Sequence, residues 1–163
     1  MRRFEKISFE QFEKDFANYD NSIDSYESIV VPNRGTGRAA GYDFFAPISF
    51  TLLPNEIIKM PTGIKVTMES DEFLMIVVRS STGFKYNVRM CNQIGIIDAD
   101  YYNNVGNEGH MWIALQNEGA INWVVNKGDR VVQGIFVKYL LTDDDSGAVS
   151  NRQGGLGSTN KEE

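Results

Sequence analysis

Nine short apolar runs separated by turn residues constrain the fold of residues 29–141 more than any other feature of the sequence. The runs are Ile29–Val31, Tyr42–Ala46, Ile48–Leu53, Ile57–Met60, Ile64–Met68, Phe73–Val78, Met111–Leu115, Asn122–Val125 and Val131–Leu141. Four prolines punctuate the first half of this region, as expected at turns and sheet edges. Short strands with turn signals between them are typical of an antiparallel sandwich, jelly roll or barrel. The sequence therefore predicts an all-β, jelly-roll-like domain.

Residues 4–19 carry a helical pattern instead. Their aromatic residues recur at spacings of three and four, which places them on one face of a helix: Phe9, Phe12, Phe16 and Tyr19. Ser8, followed three residues later by Gln11, fits a capping box at the start of that helix. We therefore expect one N-terminal helix that packs its aromatic face on the domain, with residues 20–28 as a polar connection.

The whole chain of 163 residues suits one domain with a sizeable core. We expect an N-terminal helical extension at residues 1–28, a β-barrel domain at residues 29–141 and a C-terminal arm at residues 142–163. The arm is polar, then acidic, then rich in glycine, which predicts that it is flexible in the free protein.

Charge and cysteine content restrict the partners and the compartment. The formal net charge is −6 and no basic run occurs, which argues against nonspecific nucleic-acid binding. Cys91 is the single cysteine, so no intrachain disulfide can form and a reducing compartment is expected. No apolar stretch approaches the roughly 18 residues of a membrane helix, and no apolar segment of a signal peptide follows the N-terminal arginines. These features predict a cytoplasmic protein that binds neither nucleic acid nor membranes.

The stretch Gly95–Tyr102 places two carboxylates after an apolar lead-in. Ile96 and Ile97 precede Asp98 and Asp100, as at the end of a buried strand. If the backbone stays extended, the two aspartates share one face because they are two residues apart. A carboxylate held by a stiff strand suits a positioned general base. The alternative is a polar turn that merely follows a core strand.

Two further stretches combine an arginine with hydroxyl groups and glycine. Arg79–Gly83 follows the apolar run Phe73–Val78, and Arg152–Thr159 lies in the C-terminal arm. An arginine can bind a phosphate through two hydrogen bonds while serine hydroxyls and backbone N–H groups take the remaining oxygens. Both stretches therefore indicate a phosphate site, although a polar turn and a Gly-rich linker remain the alternatives for each.

Together with Ala39–Phe44 and Gly128–Gln133, these stretches follow the order of the five motifs of the trimeric dUTP pyrophosphatases (dUTPases), and the sequence resembles that family from Pro32 to Thr159. The resemblance implies a distorted β-barrel, assembled as a homotrimer in which three subunits contribute to every site. It implies hydrolysis of dUTP to dUMP and pyrophosphate with Mg²⁺, which keeps uracil out of DNA and supplies dUMP for thymidylate synthesis. The Mg²⁺ would be held mainly by substrate phosphates and water, with no direct protein ligand.

The resemblance also implies roles around the base, the sugar and the reacting phosphate. Asp98 matches the carboxylate that activates the attacking water. Tyr101 matches the aromatic residue that lies against the deoxyribose and leaves no room for a ribose 2′-OH. Asn92 matches the uracil-reading position on a hairpin before Asp98, and Ile97 belongs to the same substrate-binding set.

The implied phosphate-binding set spans three of the five motifs. Its members are Arg79, Ser80, Ser81, Gln133, Arg152, Gly157, Ser158 and Thr159. Asp43 matches the aspartate of the first motif, which in the family supports the metal region and subunit contacts.

The sequence departs from the family pattern at several positions. Leu156 stands where family members usually carry an aromatic residue that stacks on uracil, and Asn160 replaces the final glycine of that motif. Tyr102 and Asn103 replace the usual Arg-Gly pair and are followed by a short insertion around Val105–Met111. Position 156 therefore offers no aromatic ring to stack on uracil.

Two alternative functions stay open. The related dCTP deaminases share the fold and use a glutamate on the strand after the aspartate–aromatic element. Here that strand reads Trp112–Gln116 and contains no acidic residue, which disfavours deamination. The second alternative is a non-catalytic nucleotide-binding regulator, and a regulatory protein partner is left open with it.

Overall fold

In the computed structural model, residues 1–145 and 147 are described, and they form eleven strands and three short α-helices. The strands are β1 (Arg3–Lys6), β2 (Tyr42–Phe45), β3 (Phe50–Leu52), β4 (Ile57–Pro61), β5 (Ile64–Thr67), β6 (Glu72–Val78), β7 (Val88–Met90), β8 (Gly95–Asp98), β9 (Trp112–Asn117), β10 (Trp123–Val125) and β11 (Arg130–Lys138). The helices are α1 (Phe9–Asp15), α2 (Ile23–Glu27) and α3 (Ser80–Tyr86), and a single 3₁₀ turn covers Ala99–Tyr101. None of the helices in this part of the chain is long and apolar enough to cross a membrane.

The strands pair antiparallel in four sheets around one core. A four-stranded sheet has the order β2-β11-β6-β8, a three-stranded sheet has the order β4-β9-β7, and β1-β5 and β10-β3 form two-stranded ribbons. The core between them contains fully buried side chains from both larger sheets, such as Phe44, Leu74, Met60 and Leu115. This arrangement confirms the predicted all-β fold.

The predicted strands agree with the structure in eight of nine cases. The exception is Ile29–Val31, which forms no strand. Ile29 is nevertheless buried, and its side chain lies so close to Gly63 that a Cβ there would stand 2.5 Å from Ile29 Cδ1. This apolar run is therefore explained by packing of an irregular segment rather than by strand pairing.

The N-terminal extension is more complex than one helix. The predicted helix at residues 4–19 was too long, because residues 3–6 form β1, which pairs with β5 in the barrel. Ser8 caps α1 as expected, accepting a hydrogen bond from the Gln11 N–H at 3.1 Å. The expected connection at residues 20–28 contains α2, which Ser22 caps in the same way. The extension thus joins the barrel through a strand as well as through aromatic packing.

Candidate functional site

A buried carboxylate on β2 holds two arginines from neighbouring strands. Asp43 is 8% exposed. Its Oδ1 lies 3.0 Å from Arg79 Nε at the end of β6, and its Oδ2 lies 3.5 Å from Arg130 Nε at the start of β11. These residues meet because β11 lies between β2 and β6, with Gln133 on β11 paired to Asp43 on β2 and to Val77 on β6. We call Asp43, Arg79 and Arg130 the two-arginine cluster.

Arg130 was missed among the candidate residues. Its position in the Gly128–Gln133 motif at the start of a strand could have nominated it, since a second cation beside Arg79 suits a polyphosphate. With Ser81 the two arginines line a cavity of about 420 Å³. Arg79 and Arg130 therefore present positive charge to this cavity, and Asp43, which is not among its lining residues, holds the two guanidinium groups by ion pairs.

Residues 80–83 form the start of a helix, so the polar turn that was the alternative for Arg79–Gly83 is not observed. Arg79 adopts an extended conformation as the N-cap residue, and α3 begins at Ser80. Ser80 and Ser81 are both exposed in its first turn. The helix forms because Thr82 and Gly83 donate their N–H groups to the carbonyl of Arg79 at 3.0 Å and 3.1 Å, closing the first turn.

Gln133 lies in the middle of the four-stranded sheet and is half buried. Gly41, which precedes β2, lies against it so closely that a Cβ at position 41 would stand 2.3 Å from Gln133 Oε1. The glycine of the first motif therefore leaves room for the Gln133 side chain beside Asp43.

Asn92 and Ile97 lie on an apolar cavity of about 360 Å³. Its walls come from β6, β7, β8 and β9, through Ile76, Met90, Ile96 and Trp112 among others. We expected Asn92 on a hairpin. It lies instead on the turn that joins β7 to β8, and these two strands belong to different sheets. A mainly apolar cavity with a few polar side chains, here Asn92, Cys91 and Lys59, suits a flat heterocyclic base.

Asp98 and Asp100 lie at the end of β8 that is farther from Asn92. The strand ends at Asp98, and the chain turns at once into the 3₁₀ turn, so Asp98 and Asp100 do not share a face of an extended strand. They nevertheless line one cavity of about 480 Å³, together with Ser70 and Tyr139. The two carboxylates therefore line the same cavity because the chain turns after Asp98, and not because they lie on one face of an extended strand.

The lead-in to Asp98 is also less buried than expected. β8 is the last strand of its sheet, and Ile94 and Ile96 are 44% and 52% exposed within the subunit. An edge strand with neighbouring exposed β-branched residues is a candidate surface for a partner.

Tyr101 closes the 3₁₀ turn and is 7% exposed. Its hydroxyl donates a hydrogen bond to the His110 carbonyl at 3.1 Å and accepts one from Asn107 Nδ2 at 2.7 Å. Sequence reasoning named neither Asn107 nor His110 as site residues. The only sequence signal was the short insertion that contains both of them.

The structure thus assembles three groups: the two-arginine cluster with Gln133 and Ser81, the apolar cavity with Asn92 and Ile97, and the carboxylates Asp98 and Asp100 beside Tyr101. The predicted arm residues lie outside the described residues: Arg152, Leu156, Gly157, Ser158, Thr159 and Asn160. Within residues 1–145, no group of three or more His, Cys, Asp or Glu side chains is placed to hold a metal ion.

Comparison with known proteins gives one consistent family. The family model for dUTPase matches residues 27–160. The deoxyuridine 5'-triphosphate nucleotidohydrolase of Lactococcus lactis is 42% identical over 132 residues, covering 80% of this chain and 88% of that protein.

Solved structures agree with the sequence comparison. The dUTPase from Streptococcus mutans superposes with a TM-score of 0.68 at 36% identity, covering 86% of this chain and 98% of that one. A dUTPase from phage phi11 of S. aureus, described with a structural Mg(II) ion, shares the fold at 19% identity and a TM-score of 0.64, covering 88% of this chain and 94% of that one. The chain belongs to the dUTPase family.

Proposed function

We propose that this protein hydrolyses dUTP to dUMP and pyrophosphate. One observation carries the proposal: β8 has the apolar cavity with Asn92 near its start and the carboxylate of Asp98 at its end. A strand of four residues is about 10 Å long, so one short element spaces a base pocket from a candidate general base. The Lactococcus lactis and Streptococcus mutans proteins named above support dUTP as the substrate.

The proposed reaction is a displacement at the α-phosphorus. Asp98 accepts a proton from a water molecule as its oxygen attacks the α-phosphorus, and the bond from that phosphorus to the bridging oxygen of the β-phosphate breaks. The electron pair leaves with pyrophosphate, and the new oxygen stays in dUMP. Asp98 contributes chiefly by orienting the water, while Arg79 and Arg130 offset the growing negative charge on the phosphates.

Mg²⁺ is proposed as the cofactor. A mutant dUTPase from phage phi11 of S. aureus is described with a structural Mg(II) ion, and the triphosphate of the proposed substrate offers the oxygen ligands that this ion prefers. When bound to the triphosphate, Mg²⁺ supplies positive charge to its oxygens. We propose that phosphates and water provide most of its ligands.

We further propose that the active form is a homotrimer with sites shared between subunits. The residues that line the cavity of the two-arginine cluster do not overlap with those that line the Asn92 cavity. Exposed Ile96 on the edge strand β8 and exposed Ile94 just before that strand support burial against a partner subunit. In such an assembly one subunit could supply the base pocket and another the phosphate-binding arginines.

The remaining expectations stay proposals. We propose that the arm adds Arg152, Gly157, Ser158 and Thr159 to the triphosphate site, and that residues 1–28, 29–141 and 142–163 act as extension, barrel and arm. The proposed role in the cell is to keep uracil out of DNA and to supply dUMP for thymidylate synthesis, in the cytoplasm.

A substrate panel tests the proposed function. Purified protein with Mg²⁺ is incubated with dUTP, dTTP, dCTP and UTP, and both pyrophosphate and the nucleotide products are measured. We expect pyrophosphate and dUMP from dUTP, with far slower turnover of the other three. Release of ammonia from dCTP would support the deaminase alternative, and tight binding of dUTP without pyrophosphate release would support the non-catalytic regulator.

The variant Asp98→Asn is the matched control in the same panel. Loss of a positioned base costs about 10²- to 10⁴-fold in turnover, whereas binding of a non-hydrolysable dUTP analogue should remain. Wild-type turnover in this variant would remove Asp98 from the mechanism.

A further inference from the structure

The 103–110 loop, which contains most of the short insertion, folds back on Tyr101. Asn107 donates to the Tyr101 hydroxyl, and the His110 carbonyl accepts from it. The backbone is held as well, because Asn104 N–H donates to the Tyr101 carbonyl at 3.2 Å. A Cβ at Gly109 would stand 2.3 Å from that same carbonyl oxygen, so the loop passes Tyr101 at a distance only glycine permits. The orientation of the Tyr101 ring is therefore set by this loop.

The N-terminal extension in turn holds the 103–110 loop. The Ser8 N–H donates to Glu108 Oε2 at 3.1 Å, and the Ser8 hydroxyl bonds the other oxygen of that carboxylate. Lys65 Nζ on β5 lies 3.1 Å from Glu108 Oε2 and 2.9 Å from Asn103 Oδ1. The residue that caps α1 and a lysine on β5 thus hold one side of the loop by hydrogen bonds.

His110 holds the other side of the loop and is the single histidine of the chain. Its ring is fully buried, with Nε2 accepting the Gly63 N–H at 2.8 Å and Nδ1 lying 2.5 Å from Asp15 Oδ2 at the end of α1. Because Nε2 accepts a hydrogen bond, the proton is on Nδ1 and is donated to Asp15. Gln11 Nε2 donates to the same Asp15 oxygen at 2.7 Å. Both ring nitrogens are therefore fixed, and with them the residue whose carbonyl receives the Tyr101 hydroxyl.

From this chain of contacts we propose that Asp15 and His110 are positioning residues that fix the Tyr101 ring for discrimination between deoxyribose and ribose. The proposal rests on the proposed function, in which Tyr101 lies against the sugar. Steric exclusion of a 2′-hydroxyl requires that the Tyr101 ring keep its position when the hydroxyl approaches. The Tyr101 hydroxyl is held in place because it bonds the His110 carbonyl, and the His110 ring in turn bonds Asp15 on α1. The N-terminal extension is then part of substrate selection and not only a cover for the core.

The test compares Asp15→Ala with Asp15→Asn. The asparagine keeps an oxygen acceptor for His110 Nδ1–H, whereas alanine leaves a buried N–H without that acceptor. The measurements are kcat/KM for dUTP and for UTP, and the affinities for dUMP and UMP, which report sugar selection without chemistry. We expect Asp15→Ala to reduce the preference for the deoxy form by about 10- to 100-fold, as small misplacements at a reacting centre do, and Asp15→Asn to restore most of it.

Ser22→Ala is the control for general loss of stability, because it removes the cap of α2 in the same extension without touching the loop. Its sugar preference should equal that of the wild type. If Asp15→Ala does not fold, Glu108→Ala decides, since it releases the loop from Ser8 and Lys65 instead. A folded Asp15→Ala or Glu108→Ala protein with wild-type preference overturns the proposal. A wild-type protein that releases no pyrophosphate from dUTP is a different result, since it refutes the proposed function itself.

Discussion

At the scale of single residues, Asp43 is paired with the two arginines that line one cavity of the subunit. Its carboxylate is buried and paired with two arginines that remain 31% and 46% exposed at their side chains. The acid therefore restrains two guanidinium groups whose other N–H groups reach the cavity. This role would leave Asp43 away from the chemistry and make it essential for phosphate binding.

Replacement of Asp43 by asparagine should weaken binding of the triphosphate more than turnover. Losing the carboxylate frees both arginines and leaves them to repel each other, at a stability cost of about 1–2 kcal/mol because the pairs are partly screened by solvent. We expect a raised KM for dUTP with a smaller fall in kcat, measured by steady-state kinetics. Asp129→Asn is the matched control, since that carboxylate lines the same cavity. An unchanged KM in Asp43→Asn would show that the pairing is only structural.

Single residues also show the limits of sequence reasoning. Asp98 could be identified as a candidate from the sequence because it follows an apolar run and precedes a second aspartate by two residues. The geometry of Asp98 could not be predicted, because the chain leaves the extended conformation one residue later. Where the strand ends depends on how β8 packs against the rest of the sheet. His110 could not be found at all, since its partners Asp15 and Gly63 are distant in sequence.

At the scale of elements, the N-terminal extension is bound to the barrel by ionised groups. Burial raises the pKa of Asp15, but hydrogen bonds from His110 and Gln11 lower it more, so that the pKa lies below its ordinary value of 3.8. Burial likewise raises the pKa of Glu108, and hydrogen bonds from Ser8 and Lys65 bring it below 4.5. Both groups therefore favour the folded state only while they are ionised.

The sign of this linkage gives a prediction for acid stability. A carboxyl group whose folded pKa is depressed contributes stability above its unfolded pKa and loses that contribution as the pH falls through the folded value. We expect the free energy of unfolding to fall as the pH drops below about 4.5, with a shallower fall in Asp15→Asn. Denaturant unfolding at a series of pH values measures this. Asp144→Asn, in the exposed segment after β11, serves as the control, and its free energy of unfolding should fall with pH as steeply as that of the wild type.

The C-terminal arm gives a second prediction at this scale. Removing residues 150–163 deletes Arg152 and the glycine-rich motif but none of the strands described here. We expect the melting temperature to change little and dUTP turnover to fall strongly, because the proposed closing group for the triphosphate is lost. Removal of residues 161–163 alone spares the motif and should preserve turnover. Full activity without residues 150–163 would contradict the role of the arm.

Elements were predictable where their apolar pattern was long enough. β6 and β11 were evident as apolar runs, whereas β7 has an arginine in the middle of its three residues and β1 carries three charged residues out of four. β1 forms because Phe4 packs among Tyr42, Phe44 and Phe136. Such packing depends on the assembled sheet and leaves no periodic signal in a four-residue segment.

At the scale of the whole molecule, one subunit presents its candidate groups on separate cavities. For this reason we propose that assembly of the subunits is part of the mechanism. Light scattering should give a mass about three times the 18.4 kDa of one chain. Ile94→Asp, at a residue 44% exposed just before β8, should dissociate the assembly and reduce activity, whereas Ile23→Asp, at a residue 52% exposed on α2, should not. A fully active monomer at micromolar concentration would refute the shared site.

The central claim, attack of water on the α-phosphate of dUTP, is tested most directly by isotope transfer. The reaction is run with dUTP in water enriched in the heavy oxygen isotope, and both products are analysed by mass spectrometry after a single turnover. The account predicts one heavy oxygen in dUMP and none in pyrophosphate, with the rate of its appearance reduced about 10²- to 10⁴-fold in Asp98→Asn. Heavy oxygen in pyrophosphate would place the attack on the β-phosphate and contradict the account.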